Sequence, residues 1–286
     1  MSGDRLDVAL LAAGLARSRT HARRIVEEGR ARIDDRRADK PSAPVGPDAR
    51  LSVVDVPDGI EYASRAAHKL SGALALLGLD PRGLLCLDAG ASTGGFTDVL
   101  LRSGAARVIA VDIGHDQLAA HVREDPRVEV RDGTSVRDLT PQLLGTRVDL
   151  VVADLSFISL RTVLAPLGGL VVADGQLLLM VKPQFEVGRE ALPRTGVVTD
   201  PGERIRAVRG VVDAAAEVGL HLAAVGPSTL PGQDGNREYF VHLRPAPARA
   251  PGATCAPDAE ACDMIGAAVR GDVPQRRRDH HTPEED

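Results

Sequence analysis

The chain has 286 residues, 43% hydrophobic and 26% charged, enough for one large domain with its own core and a smaller one beside it. A formal net charge of −5 does not mark a general nucleic-acid binder, so any basic surface has to be local. Three cysteines (Cys86, Cys255 and Cys262) give neither a disulfide framework nor a metal-ligand spacing, and no apolar run reaches the span of about 20 residues that crosses a bilayer, so a cytoplasmic protein with no metal and no membrane insertion is expected.

Residues 1–56 read as one small unit. Leu6, Val8, Ala9, Leu10, Leu11 and Leu15 support a first short helix, which Gly14 breaks. Ser18 is placed to cap a second helix over 19–28, and Gly29 closes it. Ala31-Arg32-Ile33 is predicted as a strand, Asp34-Asp35 as a turn, and Leu51-Ser52-Val53-Val54 as a returning strand. From Arg17 to Arg37 there are eight arginines against four acids, and Arg19 and Arg23 share a helix face. Taken alone, that face is an ordinary solvated one. Val56-Pro57-Asp58-Gly59 interrupts the pattern, and 57–63 reads as a linker.

A helix over 64–77 follows, with Ala66, Leu70, Ala73, Leu74 and Leu77 as its buried stripe and Lys69 at the border. Residues 84–101, LLCLDAGASTGGFTDVLL, then run from an apolar strand to the acid Asp88, a loop of small residues and a helical pattern carried by Phe96, Val99 and Leu100. Such a loop lets backbone approach a ligand closely and aims free helix N–H groups at it. Further strands are predicted at 108–112, 128–132, 148–154 and 176–182, ending in Asp112, Asp132, Asp154 and Lys182. A long helix covers 201–218, and strands at 222–225 and 238–243 close the domain. Alternating strands and helices imply a parallel doubly wound sheet. No helix separates the last two strands, so the final one is expected antiparallel. Residues 246–286, rich in Pro, Ala, Arg and acid, read as a disordered tail behind a domain at 64–245.

Parallel sheets bind ligands beyond the carboxyl ends of their strands, where Asp88, Asp112, Asp132, Asp154 and Lys182 all fall. A dinucleotide fingerprint requires G-x-G-x-x-G, and Gly90-Ala91-Ser92-Thr93-Gly94-Gly95 lacks the central glycine. Asp112 is placed for cofactor ribose hydroxyls on either reading, and the antiparallel last strand favours a methyltransferase over a dehydrogenase. The expected fold class is α/β. It is a Rossmann-like S-adenosylmethionine-dependent methyltransferase of about seven strands, the last antiparallel, behind a small N-terminal α+β domain. S-adenosylmethionine is the expected cofactor, held by Asp88, Gly90, Ser92, Thr93, Gly94, Asp112 and Asp132.

Two resemblances sharpen this. GLARSRTHARRIVEEGRARIDDRRADKPSAPV resembles the small RNA-binding domain named after ribosomal protein S-four, through Ser18-Arg19, Gly29, Ile33 and Asp34-Asp35. That resemblance implies a basic helix against RNA phosphates, and Arg17, Arg19, Arg23, Arg24 and Arg65 are the expected RNA contacts. Four further stretches together resemble the TlyA family of ribosomal-RNA 2′-O-methyltransferases, whose catalytic domain is of the FtsJ type. They are SRAAHKL at 64–70, DAGASTGGFTD at 88–98, DLSFIS at 154–159 and KPQFE at 182–186. The resemblance implies a cytidine ribose of small- or large-subunit rRNA as target and a ribosomal subunit as partner, and a monomer is expected. It also implies a Lys-Asp-Lys-Glu set that falls, by motif, on Lys69, Asp154, Lys182 and Glu238. Arg131-Asp132-Gly133-Thr134-Ser135 departs from the Glu-Arg-Thr-Asn expected there, which leaves the adenine side less defined.

The set suits an in-line methyl transfer to a ribose hydroxyl, a poor nucleophile that must be aligned and relieved of its proton. Lys182 is the candidate base, with Asp154 orienting it and Glu238 holding Lys69. Five of the six aromatics border these positions, and Phe157 or Phe185 is expected to stack on the target nucleotide, with Phe240 in the core. Rival readings are a non-catalytic rRNA-binding assembly factor, a pseudouridine synthase, and a haemolysin, a label this family sometimes carries. The cofactor loop and the complete tetrad argue against the first two.

Overall fold

The computed structural model describes residues 4–16, 18–27, 29–54, 62–232, 234–246, 259–272 and 275–276, and the chain divides into two compact units, 1–65 and 66–286. In the first unit, strand β1 (Asp4–Arg5) leads into helix α1 (Leu6–Ala12), followed by α2 (Arg19–Glu27), β2 (Ala31–Ile33), β3 (Arg36–Arg37), β4 (Pro44–Val45) and β5 (Leu51–Val53). Ser18 Oγ accepts the His21 N–H at 3.0 Å, as an N-cap does. Asp34 and Asp35 adopt positive φ, which lets β2 turn back onto β3, and β5 pairs on the other side of β2. Leu6, Leu10, Ala22, Ile25 and Val26 form the core between the helices and this sheet. Tyr62 and Ala63, which the sequence assigned to a linker, are buried in this unit, and residues 57–61 of that segment lie outside the described residues.

The second unit opens with α3 (Ala66–Leu77). It continues through β6 (Leu85–Ala89), α4 (Gly95–Arg102), β7 (Arg107–Val111), α5 (Ala120–Arg123) and β8 (Val128–Arg131). Next come α6 (Pro141–Leu144), β9 (Val148–Ala153), α7 (Leu164–Gly169), β10 (Val171–Val181) and α8 (Pro183–Glu186). The unit closes with α9 (Pro201–Glu217), β11 (Leu220–Pro227), β12 (Tyr239–Pro245), α10 (Ala259–Arg270) and β13 (Gln275–Arg276). The sheet order is β13-β11-β12-β10-β9-β6-β7-β8. Strands β6 to β10 are parallel to their neighbours among themselves, and β12 runs antiparallel between β10 and β11. The central strands are continuous apolar runs because helices cover both faces. Leu87, Ile109, Val151, Leu179, Val181 and Val241 are all buried. The chain winds outward in opposite directions from β6 and β9, so the crevice beyond their carboxyl ends is the topological switch point where such sheets take ligands.

The tail expectation fails for residues 259–270, which form α10 against β11 and α9. Ala261, Met264, Ile265 and Ala268 supply a buried stripe at helical spacing. The Pro- and Arg-rich residues on either side dilute that stripe in any composition average. β13 adds a two-residue edge to the sheet beyond the seven strands expected. Replacing Ile265 by Ala is expected to lower the unfolding free energy by about 2–4 kcal/mol in denaturant titrations, the usual cost of an unfilled core position. A change under about 0.5 kcal/mol, the range of surface substitutions, would mean that α10 is not part of the cooperative core.

Candidate active site

Four titratable residues meet at the carboxyl rim because of register. Val181 pairs with Tyr239 across β10 and β12, so Lys182 and Glu238, one step beyond, face each other across the antiparallel pair. Lys69, on the first turn of α3, is buried at 8% exposure, and its Nζ lies 2.5 Å from Glu238 Oε2. Lys182, at 9% exposure, donates to Ser156 Oγ at 2.8 Å and stands 2.7 Å from Asp154 Oδ1. Among the described residues Asp154 Oδ1 accepts no aligned hydrogen bond, so its link to Lys182 is a charge contact. The two buried ammonium groups thus each stand against one carboxylate, and Glu238 itself is 3% exposed. A close backbone approach completes the packing around Glu238: a Cβ on Gly232 would come within 2.8 Å of Glu238 Oε1.

The small-residue loop lies beside this set. Asp88 ends β6 fully buried, and Thr97 of α4 donates its hydroxyl to Asp88 Oδ2 at 2.7 Å. Asp88 Oδ1 has no hydrogen-bond partner among the described residues. Burial, helped by the neighbouring charges of Asp154 and Asp112 and opposed by the Thr97 hydrogen bonds, pushes the Asp88 carboxyl up to about 7. Gly90 and Gly94 take φ of +84° and +91°, and a Cβ on Gly90 would come within 2.8 Å of Leu155 and 3.2 Å of the Asp154 carbonyl. Asp112 accepts the backbone N–H of Ser92 at 2.8 Å and that of Gly114 at 2.7 Å, clamping the turn after β7 to the loop after β6. Ser92 and Thr93 are exposed on the outside of the loop. Asp132 is engaged by Arg123 at 2.6 Å and the Asp116 N–H at 3.1 Å, and these bonds hold its carboxyl below the usual range.

The aromatics split into two groups. Phe96 and Phe240 stack in the core with centroids 6.2 Å apart, and Tyr239 is buried too. Phe157 is 91% exposed, with its backbone at φ +64°, and its ring centroid lies 5.4 Å from that of Phe185.

Within the N-terminal unit, Asp7 is covered by three arginines: Arg5 through Nε at 3.0 Å and Nη2 at 3.3 Å, and Arg19 and Arg23 through Nε at 3.3 and 3.2 Å. Led by the Arg5 hydrogen bond, they hold the Asp7 carboxyl well below the usual range, while their side chains stay about half exposed. Arg24 instead donates Nη1 to the Ala63 carbonyl at 2.8 Å. Arg65 is half-buried, and Arg17 lies outside the described residues.

A family model described as FtsJ-like methyltransferase matches residues 62–245, and an S4 domain model matches residues 4–51. Over 240 residues the chain is 50% identical to the 16S/23S rRNA (cytidine-2′-O)-methyltransferase TlyA of Mycobacterium tuberculosis, covering 84% of this chain and 89% of that protein. The chain belongs to the TlyA family of FtsJ-like methyltransferases. The Campylobacter jejuni TlyA, named a 23S rRNA (cytidine-2′-O)-methyltransferase, is 34% identical over 63% of this chain and 70% of its own length. A solved structure of a hemolysin-named protein from Streptococcus thermophilus is 32% identical, with a TM-score of 0.71 and coverage of 94% and 95% of the two chains.

Several contacts at the rim of this FtsJ-like domain could not be read from the sequence, although Ser156 and Glu186 lie in motifs that it singles out. Ser156 joins Lys182 across 26 positions. Glu186 accepts the Ser159 hydroxyl at 2.6 Å and the Leu160 N–H at 2.7 Å. Asn236, almost fully buried, accepts the Val198 N–H and donates to the Gly196 carbonyl, both at 2.9 Å, tying two rim loops together. Ile113, directly after Asp112, is 73% exposed, and an apolar residue behind a strand-end acid is a signal that could have been read. The Asp88 carboxyl gives a pH test. Its folded value is raised, so its stabilising contribution is present in acid and is lost as pH rises from about 4 toward about 7. Asp88→Asn should therefore flatten the pH dependence of thermal unfolding in cofactor-free protein, gaining stability over wild type at pH 8 relative to pH 5. Parallel profiles for the two proteins would contradict this.

Proposed function

We propose that this enzyme transfers the methyl group of S-adenosylmethionine to the 2′-hydroxyl of a cytidine in ribosomal RNA. The observation that carries the reading is the pair of buried lysine–carboxylate contacts, Lys69 with Glu238 and Lys182 with Asp154, beside a glycine loop at the switch point. The 50% identity to a rRNA (cytidine-2′-O)-methyltransferase supports the substrate.

The donor set suits the cofactor. Gly90 leaves no room for a side chain between the loop and Leu155, the unpartnered Asp88 Oδ1 needs a donor, and the Asp112 carboxylate sits where ribose hydroxyls bind in such folds. Exposed Ile113 offers an apolar surface for a flat ring. Bound there, S-adenosylmethionine supplies an electrophilic methyl on a cationic sulfur. The protein has to align the ribose oxygen with it and receive the proton. Lys182, pinned on two sides by Ser156 and Asp154, presents its nitrogen at a fixed point on the rim and, as the neutral amine, is the candidate proton acceptor. Asp154 adds negative charge near the sulfonium, and Glu238 fixes Lys69 opposite Lys182. Phe157 and Phe185 present adjacent ring faces on which a flipped base can stack. In the N-terminal unit, Arg5 binds Asp7 through both Nε and Nη2, whereas Arg19 and Arg23 meet it through Nε and offer their outer nitrogens to RNA phosphates.

Transfer of tritiated methyl from S-adenosylmethionine onto purified ribosomal subunits, followed by mapping of the labelled ribose, tests the reading directly. Label on a base nitrogen or carbon would overturn it. Lys182→Ala is expected to cut methyl transfer by about 10²–10⁴-fold, the usual share of a positioned base, with S-adenosylmethionine affinity retained in calorimetry. Lost cofactor affinity with intact chemistry would reverse the roles. Arg23→Ala should weaken RNA binding for all sequences alike and reduce the slope of log affinity against log salt by about 0.7–0.9, as for one lost phosphate contact.

A further inference from the structure

Two segments of the rim run side by side and are fastened at three points. At one end Lys182 holds Asp154 and Ser156. In the middle the Phe157 and Phe185 rings meet. At the far end stands Glu186, the last residue of α8, only 6% exposed. Its Oε1 accepts the Leu160 N–H at 2.7 Å, and its Oε2 accepts the Ser159 hydroxyl at 2.6 Å and faces Arg161 Nε at 3.4 Å. Arg161 returns a bond from Nη2 to the Glu186 carbonyl at 3.1 Å. Four contacts thus close one buried carboxylate and its own backbone onto three consecutive residues.

The segment held in this way contains the least comfortable residue of the rim. Phe157 combines a left-handed backbone with a ring that is 91% exposed. A left-handed backbone is strained for a residue other than glycine, and an exposed aromatic ring forgoes the gain from burial. Such a conformation persists only where its surroundings over-determine it. Lys182 alone secures one flank of Phe157, and Glu186 secures the other.

We propose that Glu186 is a positioning residue that holds Phe157 beside Phe185 as a preformed stacking clamp for the base of the target nucleotide. The inference rests on the stacking role given to the two rings above. Burial is the largest influence on the Glu186 carboxyl and raises it, with the Ser159, Leu160 and Arg161 contacts working in the opposite direction. The carboxylate is therefore held in an unfavourable setting for the sake of those contacts. Its effect on the reaction passes through the loop, because its side chain bonds Ser159, Leu160 and Arg161.

Steady-state methyl transfer by the full-length enzyme tests this, with cofactor affinity and thermal unfolding measured alongside. Glu186→Ala is expected to raise KM for RNA about tenfold, the scale of one lost base-stacking contact, with a change in kcat of less than about threefold and unchanged S-adenosylmethionine affinity. Glu186→Gln, which keeps an acceptor for Leu160, should restore most of the loss. Should Glu186→Ala not fold, Ser159→Ala removes one of the same contacts and is expected to move KM in the same direction by a smaller factor. The decisive readout is a double-mutant cycle with Phe157→Ala. If Glu186 acts through Phe157, adding Glu186→Ala to Phe157→Ala changes KM by less than about twofold, within ordinary non-additivity. Multiplying effects, or an unchanged KM in the folded Glu186 or Ser159 variants, would overturn the inference while leaving the stacking role intact. An unchanged KM in Phe157→Ala alone would instead remove the stacking role, and the inference with it.

Discussion

Two ammonium groups are withdrawn from water at one rim of the sheet, and each needs a carboxylate beside it to be tolerated there. Glu238 serves Lys69, and Asp154 serves Lys182. Much of the second unit follows from this requirement. β12 enters the sheet antiparallel beside β10, in a register that sets Glu238 opposite Lys182. α3 lies close enough for Lys69 to reach across, and Gly72, where a Cβ would run into the Thr229 side chain, allows the helix and the segment after β11 to touch. A buried pair of this kind adds little stability over an apolar equivalent, yet breaking it is costly. Its value here is the fixed direction it gives to two lysine nitrogens.

The loops around that rim are short of regular structure but dense in side-chain-to-backbone bonds. Asp112 ties the turns after β6 and β7, Asn236 ties 196–198 to the segment before β12, and Glu186 ties 159–161 to α8. Each uses a carboxylate or amide to satisfy backbone N–H or carbonyl groups that the sheet ladder leaves unpaired. The result is a site built on loops with its key positions anchored, as positioning of a reacting hydroxyl requires. Asp88 Oδ1, buried beside the glycine loop, is the exception, with no hydrogen-bond partner among the described residues.

In the N-terminal unit a similar economy operates with opposite charge. Arg5, Arg19 and Arg23 converge on the covered Asp7 carboxylate, so three like charges share one counter-ion. The chain as a whole is acidic, yet this patch keeps a local positive excess on side chains that stay about half exposed.

The sequence by itself determined the elements. The apolar runs ending in Asp88, Asp112, Asp132, Asp154 and Lys182, broken by helical spacing between them, specify parallel strands with their polar ends on one rim. The loop of small residues at 89–95 is equally local, since φ values near +84° and +91° at Gly90 and Gly94 call for glycine. Helix α10 escaped because its short stripe is embedded in Pro- and Arg-rich flanks. Which partner each rim residue takes was decided only by the tertiary structure. Lys69 meets Glu238 across 169 positions, and Lys182 meets Ser156 across 26. Glu186 lies in the KPQFE stretch but shows no partner there, and Asn236 and Asp7 look in the sequence like ordinary surface polar residues. Their roles come from strand register and loop packing, which bring distant groups within bonding distance and exclude the water that would otherwise satisfy them.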